Sequence, residues 1–403
     1  MKKLSIRDCD VKGKRVLARF DFNVPLDSDK NITDDTRIQE ALPTIRNILD
    51  RGGRLVMMSH LGRPRGQRDP ELSLSPVAFR LGELLPNPLR FVEDCVGPEV
   101  EKKTAELREG ECLLLENLRF YPGEEENDPR FAKRLAALGD MYVNDAFGTA
   151  HRAHASTAGV ADCFDVRAAG FLMEKELKAL GSALDDPRRP FVAVLGGAKI
   201  KGKINLIQSL LDRVDVLLVG GGMMYTFFKS SGLETGRSIV DGAFLDLCRG
   251  LMEKKAGRQS RLLLPVDTII AREIDDASPT REVSIADIPE DWIGVDIGPK
   301  TVSLFKSEIA KARTVFWNGP MGVFEKPNFA EGTKAVARAV ADGKTRGATT
   351  IVGGGDSVAA INLMGIADRF SHVSTGGGAS LEFMEGRPLP GVEALCDVAE
   401  ASL

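Results

Sequence analysis

The chain has 403 residues, 43% hydrophobic and 28% charged, with a formal net charge of −4. That balance suits a globular protein of two or three domains and argues against nucleic acid or an anionic membrane as a main partner. Cys9, Cys95, Cys112, Cys163, Cys248 and Cys396 are scattered without a C-x-x-C, the opening Met1-Lys2-Lys3-Leu4 carries no long apolar leader, and no apolar run reaches membrane-spanning length; the expected compartment is therefore the cytoplasm, with reduced thiols.

Along the chain, short apolar runs alternate with helical patterns. Val16–Phe20, Leu55–Ser59, Cys112–Leu115 and Met141–Val143 read as strands in the first half. Pro43–Asp50 reads as a helix with proline in its first turn and Gly52-Gly53 as its stop. Phe171–Leu184 is a helical segment with no strand before it, followed by the polar connection Asp185 to Pro190. In the second half, Phe191–Leu195, Val216–Val219, Leu262–Val266, Val315–Trp317 and Thr349–Val352 read as strands and Ile204–Leu211 as a helix. Nearly continuous apolarity within the strands predicts burial on both faces, hence parallel sheets flanked by helices. The expected architecture is α/β: two Rossmann-like three-layer domains, 1–170 and 186–387, joined by a linker helix over 171–185.

In open α/β sheets ligands meet the carboxyl ends of the strands. In the first half those ends carry Asp21-Phe22-Asn23, His60-Leu61-Gly62-Arg63, Asn117-Leu118-Arg119 and Asn144-Asp145, with His151-Arg152-Ala153-His154 and Arg37 nearby. Arginine forks bind carboxylate and phosphate oxygens in pairs, so this set predicts a pocket for a small, highly anionic molecule.

The second half differs. Gly196-Gly197-Ala198-Lys199, Gly220-Gly221-Gly222, Asn318-Gly319-Pro320 with Glu325, Gly353-Gly354-Gly355-Asp356-Ser357 and Gly376-Gly377-Gly378 follow apolar runs. Glycines let phosphate approach peptide N–H groups, and helix N-termini favour anions. Lys199 and Lys203 would share a helix face if the helix has begun by Lys199. A cationic pocket in one half and a glycine-lined bed for a nucleotide in the other describe a phosphotransferase with its substrates on separate domains, working by positioning and charge neutralisation. Consistently, there is no nucleophile triad signature, and without a G-x-x-x-x-G-K-[ST] the glycine bed is not the common P-loop.

These stretches also carry a family resemblance. Arg19-Phe20-Asp21-Phe22-Asn23-Val24-Pro25, Ser59-His60-Leu61-Gly62-Arg63-Pro64, Glu116-Asn117-Leu118-Arg119-Phe120, Asn144 through Arg152, Gly196 through Lys199, Trp317-Asn318-Gly319-Pro320 and the last two glycine clusters resemble, in order, the phosphoglycerate kinase family. The resemblance implies reversible phosphoryl transfer between 1,3-bisphosphoglycerate with ADP and 3-phosphoglycerate with ATP, direct and in line, on closure of two hinged domains. It implies that Asp21, Asn23, Arg37, His60, Arg63, Arg119 and Arg152 hold the phosphoglycerate. Lys199 would stabilise the phosphoryl group in transfer, with Arg37 opposite, and Gly354 and Gly377 would present backbone to it. Lys203, Gly294, Asn318, Glu325 and Gly354, Gly355, Asp356 and Ser357 would bind the nucleotide, with Asp356 meeting its Mg²⁺. A monomer is implied, with the tail 388–403 returning to the first domain.

Two rival readings are weaker. A nicotinamide-dependent dehydrogenase would need G-x-G-x-x-G after its first strand, where Asp21-Phe22-Asn23 stands. A catalytically silent nucleotide-binding scaffold would be favoured by loss of Lys199 or Arg37, and both are present.

Overall fold

The computed structural model describes residues 2–253 and 260–398; residues 399–403 of the expected tail lie outside the described residues. The chain forms two compact units: the residues up to Lys178 together with those from Pro388 on, and Ala179–Arg387.

The first unit is built on a six-stranded parallel sheet: β1 (Arg15–Arg19), β2 (Arg54–Met58), β3 (Leu89–Val92), β4 (Cys112–Leu115), β5 (Met141–Asn144) and β6 (Arg167–Ala169), in the order β3-β4-β2-β1-β5-β6. Every residue of β4 and β5 is buried, as strands covered on both faces must be. The helix Thr36–Asp50 turns Ile38, Ala41, Leu42, Ile45, Ile48 and Leu49 inward, at the spacing of one helical face. It starts a full two turns before the predicted Pro43, which lies inside it. Burial of that apolar face outweighs the backbone bond that proline cannot make. Arg37 thereby falls in the helix's first turn.

The segment from Pro388 is stitched into this unit. Gly391 N–H donates to Ala150 O at 2.8 Å, Cys396 N–H to Arg167 O at 3.0 Å, and Leu4 N–H to Cys396 O at 2.8 Å. Lys3 Nζ pairs with Asp397 at 3.0 Å. The helix Phe171–Asp185 is anchored at its start in the same unit: Phe171 N–H donates to Thr44 Oγ1 at 2.8 Å and Met173 N–H to Asp145 Oδ1 at 3.0 Å. These contacts satisfy N–H groups that a helix start otherwise leaves open.

The second unit carries another six-stranded parallel sheet, β7 (Phe191–Leu195), β8 (Val216–Val219), β9 (Arg261–Leu263), β13 (Thr314–Asn318), β14 (Thr349–Gly353) and β15 (His372–Val373), in the order β15-β14-β13-β7-β8-β9. Beside it stands a three-stranded antiparallel sheet, order β11-β10-β12, from β10 (Asp267–Ala271), β11 (Thr280–Ser284) and β12 (Ile293–Ile297). The sequence reading contained none of these three; β11 is exposed at four of its five positions and has no apolar run to announce it. The helix Ile204–Leu211 begins after Lys203, so Lys199 sits in the preceding loop and the two lysines share no helix face.

Asp267, on β10, caps the helix that follows β12. Its buried carboxylate accepts from Lys300 N–H and Thr301 N–H, both at 2.8 Å, and from Thr301 Oγ1 at 2.5 Å. Gly298, the capping residue of the helix Pro299–Lys311, has no side chain to do this. Asp267→Ala therefore leaves buried N–H groups open, and the unfolding free energy should fall by about 2 kcal/mol. Urea denaturation measures this, and Asp267→Asn should lose less than the alanine variant.

Candidate functional site

In the first unit the carboxyl ends of β1, β2, β4 and β5 gather cations. β1 ends in Arg19, whose side chain is fully buried. Its Nε donates to Ser156 Oγ at 2.8 Å, one terminal nitrogen donates to Phe20 O, and the other lies 3.0 Å from His60 Nδ1. Ser156 in turn donates to Glu124 through its hydroxyl, at 2.6 Å, and its N–H, at 3.0 Å. Glu124 is fully buried, and burial raises its pKa against the opposing pull of Arg19.

Around this buried chain stand the residues singled out from the sequence. Arg37 pairs with Asp21. Asn23 accepts from Gly62 N–H at 2.9 Å. Arg119, nearly buried, donates to Gly62 O at 2.7 Å and lies 3.3 Å from Glu125. Arg152 Nε donates to His151 Nε2 at 3.2 Å. Electrostatics shows the convergence: burial drives the His60 pKa well below the usual imidazole value, followed by the fields of Arg19, Arg119, Arg37 and His154. Burial likewise lowers His154 to about 4, helped by Arg119, Arg19, Arg152 and His151. Arg63 stands apart. It is exposed, and among the described residues no carboxylate pairs with it.

The second unit offers a cavity of about 510 Å³. Its walls are apolar, with Met224, Ile239, Ile293, Met321 and Val323, and its polar points are few: Tyr225, Arg237, Asp296, Glu325 and Asp356. Gly197, Gly221, Gly222, Gly294 and Gly322 bring bare backbone to the lining. Apolar walls with a few polar groups are the usual make-up of a small-molecule site. At Gly294 a side chain is impossible, since a Cβ would fall 1.6 Å from the Tyr225 hydroxyl.

Of the residues expected to meet a nucleotide, Gly294, Glu325 and Asp356 line this cavity; Lys203, Asn318, Gly354, Gly355 and Ser357 do not. They adjoin it. Lys203 is half-buried, and burial lowers its pKa to about 8 against the attraction of Asp356. Buried Asn318 donates from Nδ2 to Gly353 O at 2.7 Å, while its Oδ1 has no hydrogen-bond partner among the described residues. Gly354 has φ of 90°, and a Cβ there would meet Asn318 Nδ2 at 2.4 Å. Gly355 and Asp356 are exposed at the first turn of the helix Gly355–Leu363. Ser357 is buried, and its hydroxyl accepts from Gly319 N–H at 2.5 Å. Lys199 is exposed in its loop, and Gly377, with φ of 50°, caps the helix Gly378–Met384.

The sequence reading gave no role to Arg19, Glu124, Ser156, Tyr225 or Arg237. For Arg19 a signal existed: an arginine set directly between the apolar run Val16-Leu17-Ala18 and Phe20. The others sit in segments whose neighbours are set only by the fold.

Comparison with known proteins agrees over nearly the whole chain. A family model described as Phosphoglycerate kinase matches residues 6–387. Curated relatives of that name from Chlorobaculum tepidum and Chlorobium limicola are each 56% identical over 397 residues, covering 98% of this chain and all of theirs. The solved phosphoglycerate kinase structure from Coxiella burnetii matches with a TM-score of 0.88 at 42% identity, covering 97% of this chain and 98% of that one. The one from Pyrococcus horikoshii matches with a TM-score of 0.83 at 33% identity over the same shares. None of these comparisons supports a catalytically silent scaffold.

The depressed histidines give a pH signature. His154 takes up its proton near pH 6.5 when unfolded but only near 4 when folded. As pH falls through that window the unfolded chain binds the proton first, and stability is lost, by about 3 kcal/mol for this residue at full extent. Asp145 and Asp296, raised by burial to about 6 and about 7, act oppositely: acidification relieves their cost. The difference between wild type and His154→Asn isolates the histidine. Denaturant unfolding from pH 7 to 4.5 should show the variant losing stability less steeply than the parent.

Proposed function

The chain belongs to the phosphoglycerate kinase family, and from that premise we propose how its own residues divide the reaction. The reaction is reversible phosphoryl transfer between 1,3-bisphosphoglycerate with ADP and 3-phosphoglycerate with ATP. The observation that carries the division is the contrast between the units: a convergent cluster of arginine and histidine at strand ends in one, and an apolar cavity edged by glycine backbone in the other.

Residues 1–170 hold the phosphoglycerate. Arg37, Arg119 and Arg152 supply paired donors to its carboxylate and phosphate oxygens. Asp21 orients Arg37, Asn23 shapes the Gly62 loop, and His60 adds a neutral donor. Arg63, with no carboxylate partner among the described residues, extends the field at the rim. Residues 186–387 hold the nucleotide: the base lies in the apolar cavity beside Gly294, Glu325 takes the ribose hydroxyls, and Lys203, Asn318 and the backbone of Gly354, Gly355 and Asp356 take the phosphates. Ser357 serves by fixing the Gly319 loop. Residues 171–185 form the linker, and 388–403 complete the first domain.

Among the described residues no cluster of three or more His, Cys, Asp or Glu could hold a metal ion by itself. That donor set fits Mg²⁺ carried in on phosphate oxygens, with Asp356 as the one protein carboxylate at the helix start. When bound, the ion neutralises charge on the nucleotide's phosphates. The chain acts as a monomer in the cytoplasm.

Transfer is direct. A carboxylate oxygen of 3-phosphoglycerate attacks the terminal phosphorus of ATP while the bond to the bridging oxygen breaks, with no phosphoenzyme. The reacting atoms must come to about 3–3.5 Å, so the two substrate-carrying units have to approach and expel water. Lys199, exposed in a glycine loop and paired with no carboxylate among the described residues, follows the phosphoryl oxygens as their charge spreads; Arg37 joins it, and backbone at Gly354 and Gly377 supplies further donors.

Lys199→Ala should lower kcat by about 100-fold or more in a coupled assay, with smaller effects on either KM. A kcat within a few-fold of the parent would remove Lys199 from this role.

Arg119→Ala should raise the Kd for 3-phosphoglycerate about 10-fold, with a shallower salt dependence, and leave ADP binding unchanged. Calorimetric titration of each ligand reads this directly; an equal loss of ADP affinity contradicts the division of substrates between the units.

A further inference from the structure

Arg19 is a guanidinium with no solvent exposure and, among the described residues, no carboxylate paired to it. Burying such a charge is costly unless its hydrogens are all placed. Here their placement sets the direction of every proton in a chain. A guanidinium only donates. The Ser156 oxygen at 2.8 Å from Arg19 Nε is therefore an acceptor there, and its own hydrogen must go to Glu124 Oε1 at 2.6 Å. By the same reasoning His60 Nδ1, at 3.0 Å from Arg19 Nη2, is an acceptor and carries no proton. The ring's hydrogen then resides on Nε2, which has no hydrogen-bond partner among the described residues.

We infer that Arg19, held by Ser156 and Glu124, is a positioning residue that locks His60 as the neutral Nε2–H tautomer, so that it presents one fixed donor to an anionic oxygen of the substrate. The inference rests on the assignment of the phosphoglycerate to this cluster. Two further observations agree with it. Burial and the fields of Arg19, Arg119 and Arg37 all oppose protonation of His60, so the ring stays neutral and its tautomer is the only variable left. Glu124 is tied to Ser156 by two hydrogen bonds, which fixes the far end of the chain. A neutral donor beside several cations has a use: it adds a directed hydrogen bond without adding to the repulsion that the empty pocket must bear.

The test is long-range ¹H–¹⁵N NMR of the full-length, ligand-free protein labelled at its histidine rings, with His60→Gln used to assign the His60 signals. The expected wild-type pattern at pH 7 is a protonated Nε2 and a bare Nδ1 at His60. In Arg19→Gln the ring should become a mixture of tautomers, KM for 3-phosphoglycerate should rise about 10-fold with a smaller change in kcat, and ADP affinity should hold. Ser156→Ala keeps the Arg19 charge but cuts its link to Glu124; it should move the same signals in the same direction, by less. A protonated Nδ1 in the wild type overturns the inference, and so does an unchanged tautomer in either variant that folds. If the tautomer is as stated but added 3-phosphoglycerate leaves the His60 signals unmoved, the substrate assignment fails and the Arg19 lock stands.

Discussion

Positive charges gathered without a counter-ion repel, and the first unit is built to hold them together before any anion arrives. At an effective dielectric near 20, two unit charges 4 Å apart cost about 4 kcal/mol. The molecule meets this by tethering cations to groups that do not cancel them. Arg119 leans on the carbonyl of Gly62, Arg19 on that of Phe20, and both His60 and His154 stay neutral. Among the described residues Asp21 and Glu125 pair directly with these arginines, and the buried Glu124 acts on Arg19 and Arg119 without a direct ion pair. The pocket therefore keeps its field while its side chains are already oriented, so little ordering remains to be done on binding. The sheet, its helices and the returning tail form the rigid mount that makes this possible.

The second unit solves a different problem, that of bringing backbone close to a ligand. The loops after β7, β8 and β13 touch one another main chain to main chain: Gly196 N–H donates to Asn318 O at 2.9 Å, Gly197 N–H to Pro320 O at 2.9 Å and Gly221 N–H to Met321 O at 3.1 Å. A Cβ on Gly196 would lie 2.0 Å from Pro320 O. These glycines therefore serve the joining of three strand ends into one floor. Ser357 belongs to the same floor, because its hydroxyl is committed to Gly319.

Much of this was legible in the sequence, for physical reasons. Strands buried on both faces leave unbroken apolar runs, and Cys112–Leu115, Phe191–Leu195 and Val216–Val219 coincide with their predicted limits. The residues just beyond such strands could be read as site candidates, because sheet geometry places them together. Three kinds of feature could not be read. A short edge strand such as β6, with three residues, carries too little pattern. Pro43 pointed to a helix start because local propensity says so, whereas the buried face of Thr36–Asp50 decided otherwise. Glu124 and Ser156 reach Arg19 only through tertiary packing, from segments more than 100 positions away along the chain (separations of 137 and, for Ser156 with Glu124, 32).

The stitching of residues from Pro388 onward into the first unit has a consequence for how the protein is made. A ribosome delivers the chain from its start, so the first sheet emerges complete while its last partners are still some two hundred positions from synthesis. Until they arrive, the backbone edges of Leu4, Ala150 and Arg167 lack the bonds that Cys396 and Gly391 provide. The nascent first unit must therefore wait in an unfinished form, whereas Ala179–Arg387 is contiguous and can close as soon as it leaves the tunnel. The final residues thus act as a latch: the anion pocket is secured only once the second unit has already been translated.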